Sequence, residues 1–340
     1  MRYTAIVTGR GQQTSAPRYV CTMPDAANPT GTGDAPDAVM CGSGDILISG
    51  FTVIRNAVLM GYPVVEAIRS ILPIVDEYIV AVGAGDDSTR DLIASIDSPK
   101  IRIVDTVWDR ARNTGGHMLA EKTNEALAMC SGTWCFYLQA DELVHELDLP
   151  VIRRACEQLR DDTNVEGLLF RYTHFYGSFS IIATAHNWYR NEVRIVRNSI
   201  GARSIGDAQS FMIADHKARV VRSGATILHY GWAKRPERMG RKMARFHYWY
   251  HGAREEKTED ADFVFRQMYG LQPFTGSHPA IMRALAAAQD WEFAPQFKPA
   301  DWTPKDWKNV LSRGAELLTG RRWGERKKYR LIRGHPWSAS

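Results

Sequence analysis

The stretch CFYLQADEL, residues 135–143, runs as an apolar strand into two adjacent carboxylates, Asp141 and Glu142. In open α/β sheets ligands bind outside the carboxyl ends of the strands, so Asp141 stands where chemistry is expected. Carboxylate oxygens suit hard divalent cations such as Mg2+ and Mn2+, which often keep only one or two protein ligands when phosphate oxygens complete the shell. An acidic pair alone is a weak signal, and the ordinary reading is that Asp141 caps the following turn. A second acidic group, Asp86 and Asp87 followed by Ser88, precedes the helical stretch TRDLIASI (89–96). Its plain role is helix capping, worth about 1 kcal/mol, with Asp86 favoured as the cap.

The elements that must hold these groups follow from apolar rhythm. From residue 45 short apolar runs alternate with helical stretches: ILISGFTVI (46–54), VVEAIRSIL (64–72), YIVAV (78–82), TRDLIASI and IRIV (101–104). This is the βαβ signature of a mostly parallel sheet. The helix HMLAEKTNEALAMC (117–130) puts Leu119, Thr123, Ala126, Leu127 and Cys130 on one stripe, ready to pack on that sheet. The strand TWCFYLQ (133–139) is apolar almost throughout, as a central strand covered on both faces should be. After Pro150 come a helix (151–160) and longer strands at 166–177, 188–198 and 225–231, which predict an antiparallel or mixed part of the same sheet. From Lys234 the pattern is helical and rich in aromatic residues. No internal repeat is present.

Residues 1–44 are rich in Gly, Pro, Ala, Thr and Ser without apolar period and predict a flexible N-terminal arm. Met40 is an alternative start. The 340 residues, 44% apolar and 24% charged, are those of an ordinary globular protein. The most apolar region, 57–82, is broken by Glu66, Arg69, Asp76 and Glu77, and falls short of about 18 uninterrupted apolar residues. The start lacks the basic-then-apolar pattern of an export signal. Five cysteines without a C-x-x-C argue against a disulfide framework and a zinc ribbon, and suit a reducing cytoplasm. The net charge of +5 is modest, but the segment RRWGERKKYRLIR (321–333) is dense in cations and suits an anionic surface or substrate; no nucleic-acid partner is expected.

DEYIVAVGAGDDST (76–89), KTNEALAMCSGTW (122–134) and CFYLQADEL, in that order, resemble the bacterial family 2 glycosyltransferases of the GT-A fold over about residues 46–232. The resemblance implies a Rossmann-like mixed sheet flanked by helices, here with a helical C-terminal extension. Its domains would be a GT-A catalytic domain at 45–233, with a nucleotide half at 45–142 and an acceptor half at 143–233, and a basic extension at 234–340. The family's acidic motif, usually D-x-D, falls on Gln139, Ala140 and Asp141. The first Asp is thus replaced by an amide, which can bond a ribose hydroxyl but adds no charge at a metal. The Asp that recognises the base is replaced by Gly83.

The resemblance assigns Asp141 as the ligand of a Mn2+ or Mg2+ ion on the donor diphosphate, with Glu142 structural. His229 in ATILHYGW (225–232) would complete the metal shell, since neutral imidazole suits Mn2+, although a lone histidine is more often structural. Arg55 and Asn56 in FTVIRNA (51–57), with Asp87, Lys122, Asn124 and Gln139, would line the nucleotide pocket; the ordinary reading of Lys122 and Asn124 is a solvated helix face. An arginine fork also suits phosphate. Inverting transfer needs a carboxylate to take the acceptor's proton. Asp207 in RSIGDAQSF (203–211) resembles that base; the other candidate, Glu192 in WYRNEVRIV (188–196), is explained as well by a salt bridge to Arg190 or Arg194. Arg194, Arg197 or Lys234 would help stabilise the leaving diphosphate. In RPERMGRKMARFHYWYHG (235–252), Met239, Met243, Phe246 and Tyr250 form one stripe and Arg238, Arg241, Lys242 and Arg245 another. The ordinary reading is a helix packed by the first face and solvated by the second; the sharper one is a basic collar at an anionic acceptor or membrane. Trp188, Tyr189, Trp232 and Trp249 are available to stack on sugar rings, although the ordinary reading of most of them is core.

The expected activity is that of a metal-assisted, inverting hexosyltransferase (EC 2.4) in polysaccharide biosynthesis. It would move sugar from a nucleotide-sugar donor to a cell-surface polysaccharide or glycolipid, in the cytoplasm or at the inner face of the membrane, with peripheral contact through the basic region. The rival reading is a catalytically degenerate nucleotide- or carbohydrate-binding protein of the same fold.

Overall fold

The computed structural model describes residues 47–108, 117–251, 263–296, 298–320, 322 and 327–337. The arm expected at 1–44 lies outside them. Four parallel strands form the first half of the sheet: β1 (Ile48–Ile54), β2 (Glu77–Gly83), β3 (Ile101–Thr106) and β4 (Trp134–Tyr137), in the order β3-β2-β1-β4. Their side chains alternate between two cores. Tyr78, Val80, Val82 and Phe136 face one, with helices α1 (Ala57–Met60), α2 (Val64–Ile71) and α3 (Thr89–Ala94) on the connections nearby. Phe51, Ile79, Ala81, Cys135 and Tyr137 face the other, beneath α4 (His117–Leu127). On α2 the spacing i, i+3, i+4, i+7 buries Val64, Ala67, Ile68 and Ile71. α4 ends three residues before the expected Cys130, with Met118, Ala120, Lys122, Thr123, Ala126 and Leu127 buried. β4 is buried at every residue, as its composition predicts.

The second half is mixed. It comprises β5 (Glu142–Val144), helix α5 (Leu149–Gln158), β6 (Gly167–Tyr176), β7 (Ile181–Ala183), β8 (Asn191–Arg197), β9 (Ala202–Ile205), β10 (Ser210–Ile213), β11 (His216–Lys217) and β12 (Arg219–Trp232). β8 pairs antiparallel with β4 and β6, while β12 lies parallel to β6 and antiparallel to β5. β9, β10 and β11 form a separate small antiparallel sheet. The last part holds α6 (Pro236–His251), β13 (Leu271–Pro273), α7 (Arg283–Ala287), α8 (Pro304–Thr319) and β14 (Arg330–Leu331). It is helical as expected but also returns two short strands to the main sheet, β13 beside β7 and β14 beside β12. The mixed α/β sheet flanked by helices that the sequence predicts is the architecture observed.

Candidate active site

A cavity of about 860 Å³ opens at the carboxyl ends of β1 and β4. It gathers Arg55 and Asn56 from the end of β1, Gln139 and Asp141 from the end of β4, Asp207 from the β9–β10 turn and His229 from β12. These are six of the nine residues singled out in the sequence. Asp87, Lys122 and Asn124 are not among those lining it.

Local chemistry explains the placement at β1. Asn56 sits in the left-handed region (φ 57°), which Asn tolerates better than most residues. Its Oδ1 accepts from the Asp86 N–H at 2.8 Å, and its Nδ2 donates to Asp86 Oδ2 at 3.3 Å. Arg55 Nε donates to the Ala84 carbonyl at 2.7 Å. Both side chains therefore clamp the β2–α3 loop to the end of β1. Asp86, favoured as the helix cap, is used in this clamp, and the residue at the α3 N-cap, Ser88, makes no side-chain capping bond; Asp87 Oδ1 accepts from Thr89 N at 3.0 Å and its Oδ2 from Leu59 N of α1 at 2.7 Å, which ties the starts of the two helices together.

The other two distant residues also have structural partners. Lys122 is buried and pairs with Glu125 at 2.6 Å, which replaces the solvated face expected for it. Asn124 donates to the Ser204 carbonyl at 3.1 Å and accepts from Ser204 N–H at 2.7 Å. It thereby fastens β9, and with it the turn that carries Asp207, to α4.

At the tip of β4 the two carboxylates separate. Glu142 is fully buried in a bidentate pair with Arg194, at 2.8 and 2.7 Å, and also accepts from the Tyr172 hydroxyl at 2.8 Å. Arg194 is consequently locked into the interior, and Arg197 donates to the carbonyls of Leu159, Arg160, Asp162 and Val165. Neither lines the cavity, which corrects the phosphate role expected for them. Glu192 has neither expected salt bridge: Arg190 pairs with Glu316, Arg194 with Glu142, and Glu192 Oε1 accepts from Gln209 Nε2 at 2.8 Å. Burial pushes the Glu192 carboxyl up to about 7.

Asp141 faces the cavity side. Its Oδ2 lies 3.2 Å from Lys242 Nζ and 3.8 Å from His229 Nε2, and its carbonyl accepts from Tyr230 N–H at 2.8 Å. Burial alone would raise its pKa, but Lys242, His229 and Lys234 hold it well below the usual carboxylate range. Gly231 makes the approach possible, since a Cβ there would stand 2.5 Å from His229 Nε2 and 2.6 Å from Asp141 Oδ2. Lys234, buried above the Tyr62 ring at 4.1 Å, donates to the Gly61 carbonyl at 2.9 Å. Burial, then Lys242, push its pKa well below the usual lysine value.

The metal expected at Asp141 and His229 meets a poor donor set. Gln139 brings no charge, and Glu142 is taken up by Arg194, so Asp141 is the one carboxylate of the strand tip left to meet an ion. The Asp141 oxygen facing His229 is also the one bonded to Lys242. Unit charges 4 Å apart at an effective dielectric near 20 interact by about 4 kcal/mol, and a dication beside an ammonium would feel about twice that repulsion. The residues as arranged do not fit a divalent ion.

No family model matches the chain, and no curated protein does. Solved structures do. The Staphylococcus aureus TarS 1–349 structure is 13% identical over 60% of this chain and 65% of its own, with a TM-score of 0.34. The same fragment in complex with UDP-GlcNAc matches at 13% identity, 60% and 66% coverage and TM-score 0.34. Glucosyl-3-phosphoglycerate synthase from Mycobacterium tuberculosis, in complex with Mn2+, UDP and phosphoglyceric acid, is 23% identical over 38% of this chain and 43% of its own, with a TM-score of 0.26. The chain thus spans under two thirds of the length of each of these structures.

Lys242 and Trp108 also line the cavity. The ordinary reading of α6 solvates Lys242 and packs Met243, while the sharper one sets Lys242 in a basic collar; the structure buries Lys242 at 6% exposure and leaves Met243 at 39%. The reversal has a cause, because the ammonium finds Asp141 and the Gly231 carbonyl, and nothing in the local sequence signals either. Trp108 lies over the end of β2, its Nε1 within 2.5 Å of where a Gly83 Cβ would be. Here a signal existed: a glycine in place of an acidic residue leaves room for a ring. Trp188, Tyr189 and Trp232 line the cavity, while the Trp249 side chain lies outside the described part. No helix among the described residues is long and apolar enough to cross a membrane.

Proposed function

We propose that this chain is a GT-A glycosyltransferase of the family 2 type, moving a sugar from a nucleoside-diphosphate donor to a hydroxyl of a cell-surface polysaccharide or glycolipid. The observation that carries this reading is the gathering of Asp141, Asp207, Arg55, Asn56 and Gln139 around one cavity at the carboxyl ends of β1 and β4. Arg55, Asn56 and Trp108 form the nucleotide side and Gln139 is within reach of a ribose hydroxyl. Asp207 takes the proton of the acceptor hydroxyl as its oxygen attacks the anomeric carbon; the bond from that carbon to the diphosphate breaks, and the nucleoside diphosphate leaves with the electron pair. The outcome is inversion. Trp188, Tyr189 and Trp232 offer aromatic faces for sugar rings. The basic segment 321–333 would hold the protein against an anionic membrane face, with 45–233 as the catalytic domain and 234–340 as its extension.

The test is thermal unfolding with UDP, GDP, CDP and dTDP, each with Mn2+ and with EDTA, in wild type and Asp141→Ala, since a ligand of the folded state raises its stability. A shift with one nucleotide that Asp141→Ala abolishes supports the site and names the donor class; no shift with any nucleotide removes the reading. Asp207→Asn separates enzyme from degenerate binder. It should abolish sugar transfer while leaving nucleotide affinity within about threefold, because an amide of the same shape keeps the pocket but accepts no proton.

A further inference from the structure

We infer that Lys242 supplies, from within the chain, the positive charge at the acidic strand tip, so that the diphosphate of a nucleoside-diphosphate ligand is met by an ammonium in place of a divalent ion. This rests on the reading of the cavity as a nucleoside-diphosphate site and goes beyond it by assigning the counter-charge. Lys242 Nζ is held by Asp141 Oδ2 at 3.2 Å and by the Gly231 carbonyl at 2.9 Å, and stands 5.1 Å from the Tyr62 ring centroid. The residue is buried yet lines the cavity. Three separate segments therefore surround one ammonium at the strand end: the β4–β5 turn through Asp141, β12 through Gly231 and the α1–α2 connection through Tyr62.

The surroundings agree with this role. Arg245, three residues along α6 and hence on the same helix face, lines the cavity too, so one helix brings two cations to it. Gln139 has removed one carboxylate from the motif that would hold a metal, and the remaining carboxylate is occupied in orienting Lys242. In this arrangement Asp141 is a positioning residue. Its negative charge keeps the ammonium in a buried place that burial alone would disfavour.

The experiment is calorimetric titration of the full chain with UDP, GDP, CDP and dTDP in excess EDTA and in Mn2+, for wild type, Lys242→Met, Lys242→Arg and Lys242→Glu. Expected is that one nucleotide binds wild type in EDTA within about threefold of its affinity in Mn2+. Lys242→Met weakens it by about tenfold or more, and Lys242→Arg retains most of it. Lys242→Glu adds a carboxylate beside Asp141 and His229, so binding should become dependent on Mn2+, with a bound-ion signal by electron paramagnetic resonance that wild type lacks. Binding to wild type that EDTA abolishes and Mn2+ restores overturns the inference while leaving the nucleotide site standing. Unchanged affinity in Lys242→Met also overturns it. Absence of binding by all four nucleotides in both conditions removes the inference and the site reading together.

Discussion

The Nδ1 atoms of His174 and His229 lie 2.9 Å apart, so one proton is shared between two imidazoles. His174 Nε2 faces the Tyr189 carbonyl at 2.7 Å, which can only accept; burial and the neighbouring His229 push the His174 pKa well below its ordinary value, so the ring is neutral. A neutral ring that donates from Nε2 accepts at Nδ1, and His229 must donate from its own Nδ1. His229 Nε2 is thereby turned to Asp141. His174→Phe would leave the His229 N–H buried without its acceptor and should cost about 1–3 kcal/mol of stability. Nitrogen-15 spectra of labelled histidine should show the His229 Nδ1–H signal changed in the variant, where its acceptor is gone, an outcome that mere loosening of packing would not produce.

Glu192 makes the clearest pH prediction. Its folded pKa, raised to about 7 by burial, lies above the ordinary 4.5, so between those values the folded state binds the extra proton. Stability from this group therefore falls as pH rises from about 4.5 to 7, and the full cost, on the order of 3 kcal/mol, is present above pH 7. Glu192→Gln removes the charge and keeps an oxygen to accept from Gln209. Urea unfolding should find the variant more stable than wild type at pH 8 and nearly equal to it at pH 4.5. An equal difference at both pH values would show that the carboxylate is not the cause.

The parallel half of the fold was legible because its signals are local. β1, β2 and β4 are apolar runs whose alternate residues fill two cores, and α2 repeats its apolar residues at helical spacing. The position of Asp141 followed from the end of β4. What the sequence withheld are partnerships between distant residues. Glu142 and Arg194 are 52 residues apart, and Asp141 and Lys242 are 101 apart, so no local pattern distinguishes these cations from solvated ones. The short strands β5, β7, β13 and β14 escaped for a similar reason, being two or three residues long and defined by their pairing.

The Glu142–Arg194 pair should be the most sensitive polar contact of the interior. Both side chains are fully buried, and the pair is joined by the Tyr172 hydroxyl. Either Glu142→Gln or Arg194→Met leaves a buried charge without its opposite, at a cost of about 3–5 kcal/mol. Removing both charges in Glu142→Met/Arg194→Met should be less damaging than the sum of the single changes. A double-mutant cycle from chemical denaturation reads this directly, and simple additivity would refute the coupling.

Gly231 sets the spacing on which the whole site depends. Its backbone needs no left-handed conformation, so the requirement is for space alone: the missing Cβ would press on His229 Nε2 and Asp141 Oδ2 together, while the same residue's carbonyl holds Lys242. Gly231→Ala must push the imidazole and carboxylate aside, a crowding worth about 1–3 kcal/mol in a packed interior. Because the displaced groups are the ones that orient Lys242, nucleotide binding should fall by about tenfold or more while the chain still folds cooperatively. Circular dichroism and calorimetric titration of the same preparation separate the two effects. Full nucleotide affinity in Gly231→Ala would mean that the Asp141, His229 and Lys242 cluster does not act on the ligand.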